Sequence, residues 1–246
     1  MQIFLLQFFH LSCKFESMRA EEMICLAILP ADVEAGLRYA LQSLHYTFDR
    51  MGYKDDAAQR LAKIALGKTC EATLIRFLRQ HAIPHLSAEG ATPHTDPDRF
   101  DLRVLNEIVD LKTFSVPDQV AQPDRLLHCL ALVPNHHAKD QWSKRGHYER
   151  FLFGFFKGKM RLQFKNAAAK RDINREEIEV TSVPAILYLA AAPTIVECEQ
   201  QFHAARRGTV CPQYPNGTRI DNMGCRIGEL TSIQNFLTKM EKFQRR

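Results

Sequence analysis

The sequence predicts an α/β fold, a mixed β-sheet flanked by helices, and three observations carry that prediction. Before residue 84, two long stretches space their apolar residues with a helical period. From residue 100 the pattern shifts to short runs of branched and aromatic residues, the signature of strands. Residues 126–133, LLHCLALV, form a continuous apolar run between Arg125 and Pro134, which reads as a central strand buried on both faces.

In chain order, residues 31–52 read as a helix ended by Gly52, where a left-handed cap is cheap for glycine. Residues 55–81 read as a second helix, capped by Asp55 or Asp56 and closed off by Pro84. A short strand is expected near residues 85–87. Residues 100–105 and 108–114 read as a β-hairpin turning at Asn106-Glu107. Pro117 to Asp124 reads as a loop or helical turn. Residues 151–157 and 160–165 read as a strand pair around Gly158. Residues 183–192 fit either helix or strand, and residues 229–243 fit a final amphipathic helix. This divides the chain into an N-terminal helical segment (1–54), a core (55–165) and a C-terminal extension packed on that core (166–246).

Composition bounds the function classes. Apolar residues make up 46% of the 246 and charged residues 25%, which suffices for a sizeable core. Lys and Arg number 33 against 28 Asp and Glu, a net charge of +5 that permits a polyanionic partner without requiring one. The seven cysteines contain no CxxC pair, so a reducing cytoplasmic setting fits better than a secreted disulfide scaffold. The apolar run 1–13 lacks a preceding positive charge and a following small-residue cleavage site. It is also too short to span a bilayer, so it reads as a buried helix, or as sequence upstream of initiation at Met18 or Met23.

The chemistry concentrates in the hairpin. With a turn at Asn106-Glu107, Arg103 faces Asp110 and Asp101 faces Lys112. Alternation then gives Asp101, Arg103, Asp110 and Lys112 one face, and Leu102, Val104, Val109 and Leu111 the other. Asp101 and Asp110 become diagonal neighbours, roughly 7 Å apart at the backbone. Two carboxylates at that spacing suit a hard cation such as Mg²⁺. The Lys112 ammonium points to the same place, where it would hold an attacking water and offset charge on a phosphate. Asp98 competes for the first acidic position because Pro97-Asp98 spells a literal PD, but the register favours Asp101. On the second helix, Ile64, Gly67, Glu71, Leu74 and Leu78 trace an inward stripe, so Glu71 sits among apolar residues. Gly67 on that stripe would let the helix approach another backbone closely.

The stretches GKTCEATLIRFLRQHAI (67–83) and FDLRVLNEIVDLKTF (100–114) resemble the PD-(D/E)XK nuclease superfamily, the restriction-endonuclease-like group. That resemblance implies an α-β-β-β-α-β core with a mixed sheet and one or two Mg²⁺ ions, with Mn²⁺ as a substitute. By position it implies metal ligation by Glu71, Asp101 and Asp110, with the Leu111 carbonyl as a further oxygen, and water activation by Lys112. It further implies phosphodiester hydrolysis in DNA ahead of RNA, no membrane partner, and compatibility with a homodimer. The alternative is a catalytically silent module of the same fold that binds DNA or a protein. Asp110 stands where Glu is commoner, and the literal PD is offset from Asp101. A D/E-x-K triplet alone carries little weight. Asp110-Leu111-Lys112 is the only one in the chain, and its conjunction with the helix Glu is the stronger signal.

Weaker signals point several ways. Gln119 and Gln122 follow the triplet and read as loop polar residues or phosphate contacts. His136, His137, His147 and Asp140 match no standard metal spacing. Cys70, Cys198, Cys211 and Cys225 are too widely spaced for a compact iron–sulfur motif and read as buried small hydrophobes. Lys157, Lys159, Arg161, Lys165, Lys170 and Arg171 form a loose basic stretch that suits either a solvated sheet edge or a phosphate path.

Overall fold

A computed structural model describes residues 17–51, 57–87, 102–136, 142–164, 178–182 and 184–244. The readings for 1–16, for the caps at Gly52, Asp55 and Asp56, and for Asp98, Asp101, His137, Asp140, Lys165, Lys170 and Arg171 lie outside the described residues. Within them the molecule is mixed α/β, as its periodicities predict. No described helix is long and apolar enough to cross a membrane.

Two helices, α1 (Pro30–Met51) and α2 (Ala57–Gln80), pack side by side. A clamp near the start of α1 holds them. Arg76 of α2 donates from Nε to both Asp32 carboxylate oxygens at 3.1 Å and from Nη2 to Oδ2 at 2.9 Å. Thr73 Oγ1 donates to the same Oδ2 at 3.1 Å, and Asp32 is buried. The close backbone approach expected at Gly67 is made instead by Gly36. A Cβ built at Gly67 meets nothing within 4 Å, whereas one at Gly36 would lie 2.4 Å from Thr69 Oγ1 and 2.5 Å from Thr69 N. The helical stripe located the inward face of α2 but not the partner helix, which presses on a different side.

The strands β1 (Ile24–Ala27), β2 (His85–Ser87), β3 (Leu102–Val104), β4 (Glu107–Ser115), β6 (Arg150–Lys157) and β9 (Ile186–Ala191) form one six-stranded sheet in the order β1-β9-β6-β4-β3-β2. Each of the three stretches into which the sequence divides thus supplies strands to the same sheet. The neighbours are antiparallel except β4 and β6, which run parallel. A parallel pair requires a long crossover. Residues 116–149 supply it, through α3 (Pro123–Leu126) and β5 (Leu130–Pro134).

The run 126–133 is therefore not a central strand of the main sheet. Its first residue ends α3, and β5 joins a separate three-stranded sheet with β10 (His203–Ala205) and β11 (Asn222–Arg226) in the order β10-β11-β5. Burial on both faces gave the run its apolar character, and a covering layer buries a strand as thoroughly as a central position does. The pairing expected around Gly158 is likewise replaced. β6 is committed to β4 and β9, and β7 (Met160–Phe164) pairs with β8 (Ile178–Ser182) instead. Gly158 at φ +141° turns the chain out of the sheet, where an added Cβ would strike Ala185.

The two faces of the main sheet carry different layers. On one, α2 and α5 (Ile233–Gln244) cover Leu102, Val104, Val109, Leu152 and Leu189. On the other, the small sheet and α4 (Ile195–Gln201) enclose Phe114, Phe151, Phe153 and Phe155. Aromatic rings of about 150–250 Å² each dominate that second core.

Candidate functional site

The hairpin forms, with its register moved by two residues from the expected one. Leu102 pairs with Val109, Arg103 with Ile108, and Val104 with Glu107. The turn is Leu105-Asn106, with φ of +53° and +76°, the pair of positive values a two-residue type I′ turn requires. Asn accepts that conformation readily and Leu does not. Two contacts override the local preference. Leu105 packs against the helix-covered core, and its N–H donates to the Pro84 carbonyl at 3.0 Å. Glu107, expected in the turn because it separates the two strand runs, is instead claimed by Arg150. The guanidinium Nε lies 2.7 Å from Oε2 and Nη2 lies 3.3 Å from Oε1, while the same group stacks 4.3 Å over the Phe236 ring. That pair spans 43 residues of chain, and no spacing rule exposes it.

A slip of two preserves the side-chain faces. Leu102, Val104 and Val109 enter the helix-covered core as predicted, and Asp110 and Lys112 project from the opposite face. There Asp110 lies beside Phe151 and Lys112 beside Phe153, their partners across the parallel ladder. The Lys112 ammonium sits 2.5 Å from Asp110 Oδ2 and 5.9 Å from the centre of the Phe151 ring. Asp110 is 4% exposed, and Oδ2 accepts no hydrogen bond besides that ion-pair contact among the described residues. A buried carboxylate held by one ammonium retains lone pairs for a further cation or donor.

Glu71 occupies a different environment. It is buried on α2, as its apolar stripe predicts, and its Oε2 lies 2.7 Å from Lys68 Nζ one turn earlier. Lys68 Nζ in turn sits 4.3 Å over the ring of Tyr39 on α1. The next residue before Glu71, Cys70, hydrogen-bonds Thr113, an odd-numbered position of β4. The structure thus unites Asp110 with Lys112 on one face of β4 and sets the helix bearing Glu71 against the other. The Leu111 side chain points to the α2 side, while its carbonyl lies between Asp110 and Lys112 in the strand.

No group of three His, Cys, Asp or Glu residues converges among the described residues. Among the described residues Asp110 alone offers carboxylate oxygen on its face of β4, and Mg²⁺ is commonly held by one or two carboxylates with waters completing its shell. The fit therefore turns on Asp101, the neighbour of Leu102 in sequence.

His136 Nδ1 lies 3.8 Å from Asp221 Oδ2, a surface contact rather than a ligand set. Cys70 lies in the helix-covered core, whereas Cys198 and Cys225 lie in the aromatic one, so a single cluster cannot gather them. Burial pushes the Cys70, Cys129 and Cys225 thiols up to about 12, and it raises Cys198 as well, with the neighbouring Glu197 adding to the effect. These are packed thiols, not nucleophiles. Compared with family models, curated proteins and solved structures, the chain gives no match.

Proposed function

We propose that the protein is a metal-dependent nuclease of the PD-(D/E)XK type that hydrolyses phosphodiester bonds in DNA. The observation that carries the reading is the convergence of the Asp110 carboxylate and the Lys112 ammonium at 2.5 Å on one face of β4. The chain order supports it: α2, then the antiparallel β2, β3 and β4, then α3 and a strand, β6, parallel to β4. That is the helix–strand–strand–strand–helix–strand order the resemblance implies, with β5 inserted in the crossover.

In this reading Asp110, with Asp101, would hold Mg²⁺, and the Leu111 carbonyl would add an oxygen. The bound cation supplies charge neutralisation and a lowered water pKa. Lys112 contributes a proton-rich, positively charged donor that orients the attacking water and offsets charge on the phosphate. The aromatic floor of Phe151 and Phe153 excludes bulk water and strengthens these interactions.

The test is plasmid cleavage with Mg²⁺ or Mn²⁺ by the wild type, Asp110→Ala and Lys112→Ala. Each substitution is expected to lower the rate by at least about 10²-fold, the scale of losing one charge-stabilising group. Cleavage that persists in Asp110→Ala would refute the assignment. A second reading, a silent module of the same fold that binds DNA, is favoured by one observation: Glu71 is committed to Lys68 on the helix covering the other face. Unchanged plasmid in every arm, with retained binding, would select it.

A further inference from the structure

We infer that the surface built by residues 206–221 binds a single-stranded nucleic-acid segment through Arg206, Arg207 and Arg219, with Tyr214 as a stacking platform. This names the substrate class and the holding element for the proposed nuclease and rests on that reading for its biological use. The binding itself is tested separately.

The segment ARRGTVCPQYPNGTRID is turn-rich, yet its backbone is tied closed. Gly208 N–H donates to the Thr218 carbonyl at 2.8 Å, and Thr218 N–H donates to the Thr209 carbonyl at 2.9 Å. Thr209 Oγ1 and Thr218 Oγ1 both donate to the Arg206 carbonyl, at 2.6 and 3.0 Å. Gly208 and Gly217, both at positive φ, touch so closely that a Cβ on Gly217 would lie 2.7 Å from the Gly208 carbonyl oxygen. The buried Gln213 side chain then docks the loop on β5, accepting from Leu130 N–H at 3.2 Å and donating to the Leu130 carbonyl at 2.7 Å.

This closure brings Arg206 and Arg207 beside Arg219 and leaves all three side chains exposed. Among the described residues none of the three guanidinium groups has a carboxylate within ion-pair distance. Among the described residues the acid of this segment is Asp221, which accepts from the Arg207 backbone N–H at 2.6 Å, lies 3.8 Å from His136 and is also held by the charge of Arg206. Three exposed arginines on a closed backbone against one carboxylate leave an excess of positive charge that suits a polyanion.

The apolar content distinguishes a strand from a simple anion. Val210, Ile220 and Tyr214 are exposed by 69%, 37% and 36%. Bases stack on exposed aromatic rings regardless of sequence, while arginines track the backbone. Tyr214 also packs on the strand that carries the proposed site. Its ring meets Phe114 edge-on at 6.4 Å, and Phe114 follows Lys112 by two residues on the same face of β4. Along the strand Phe114 lies about 13 Å from Asp110, so Tyr214 packs near the far end of the ladder that carries Asp110 and Lys112.

The experiment measures fluorescence anisotropy of a labelled single-stranded oligonucleotide and its duplex in EDTA, so that no cleavage occurs. It uses the full chain as wild type, the triple Arg→Ala variant, the triple Arg→Lys variant, Tyr214→Ala and Asp110→Ala. We expect the single strand to bind in preference to duplex. The Arg→Ala variant should bind at least about tenfold more weakly, and its log K against log[salt] slope should fall by about two to three. Arg→Lys should retain most of the affinity, which separates charge from folding. Tyr214→Ala should weaken single-strand binding by about tenfold, within the range of one stacked base. Equal binding by the Arg→Ala variant, a duplex-only preference, or binding to anionic vesicles in place of oligonucleotide would each overturn the inference. Asp110-dependent cleavage beside Arg-independent binding would sink this inference and spare the nuclease. Arg-dependent binding with no cleavage would do the reverse.

Discussion

Two buried lysine–carboxylate pairs of nearly identical exposure lie on opposite sides of the six-stranded sheet, and their surroundings differ. Lys68 and Glu71 are 16% and 6% exposed at their side chains, and Lys112 and Asp110 are 15% and 6%. Burial and pairing therefore do not distinguish them. Their surroundings do. The Lys68 ammonium lies between a carboxylate one turn away and the Tyr39 ring of the packed helix, so it joins α2 to α1. The Lys112 ammonium touches a carboxylate two residues away on a strand and lies 5.9 Å from the centre of the Phe151 ring. A helix pair one turn apart is ordinary local stabilisation. A strand pair at i and i+2 shares one face and aims both charges at one volume.

The largest expected effect lies in breaking each pair. Removing one member of a buried pair leaves its partner uncompensated, at about 3–5 kcal/mol. Asp110→Ala and Glu71→Ala should both destabilise on that scale in denaturant unfolding. Only Asp110→Ala should also remove cleavage, while the isosteric Glu71→Gln should leave cleavage within about threefold of wild type, under 1 kcal/mol. The double variant Asp110→Ala/Lys112→Ala should cost less than the sum of its singles. If Glu71→Gln abolishes cleavage with stability intact, the two faces act together and the helix pair belongs to the chemical site.

A smaller effect tests the packing of the helical layer. Gly36→Ala forces a Cβ into the Thr69 backbone, and such overpacking costs about 1–3 kcal/mol. Gly67→Ala meets open space inside a helix and should stabilise by about 0.5–1 kcal/mol. Paired thermal melts read both. A destabilising Gly67→Ala would show that α2 is approached where no neighbour is found.

What the sequence revealed follows from range. Alternation is local, so the faces of the hairpin, with Leu102, Val104 and Val109 on one and Asp110 and Lys112 on the other, were legible and survived a two-residue slip. The slip itself was not legible, because it depends on the Glu107–Arg150 pair and on the Leu105 N–H bonding the Pro84 carbonyl, contacts made across long stretches of chain. The same holds for Glu71. Its apolar stripe announced burial correctly, but nothing in a periodicity says which face of a sheet a helix will cover. The strand at 130–134 shows a third limit, since an apolar run reports that both sides are buried without reporting by what.

The smallest effect concerns the thiols of the two layers. Cys70 lies under α2, and Cys198 and Cys225 lie in the aromatic core, all buried. Cys25 on β1 is exposed. Burial holds Cys70, Cys129 and Cys225 neutral up to about 12, above the ordinary thiol value of 9.0. The sign follows from proton binding: above pH 9.0 the unfolded chain releases thiol protons that the folded chain keeps. Their contribution to stability is complete below that pH and declines as pH climbs toward 12. Iodoacetamide at about pH 8 should therefore label Cys25 well ahead of the buried thiols, because the thiolate is the reactive form and access limits it further. Peptide mapping by mass reads the order. Early labelling of Cys198 or Cys225 with Cys70 still protected would mean that the aromatic face opens first. That face also carries Asp110 and Lys112, so the opening would give a route by which a phosphate could reach them.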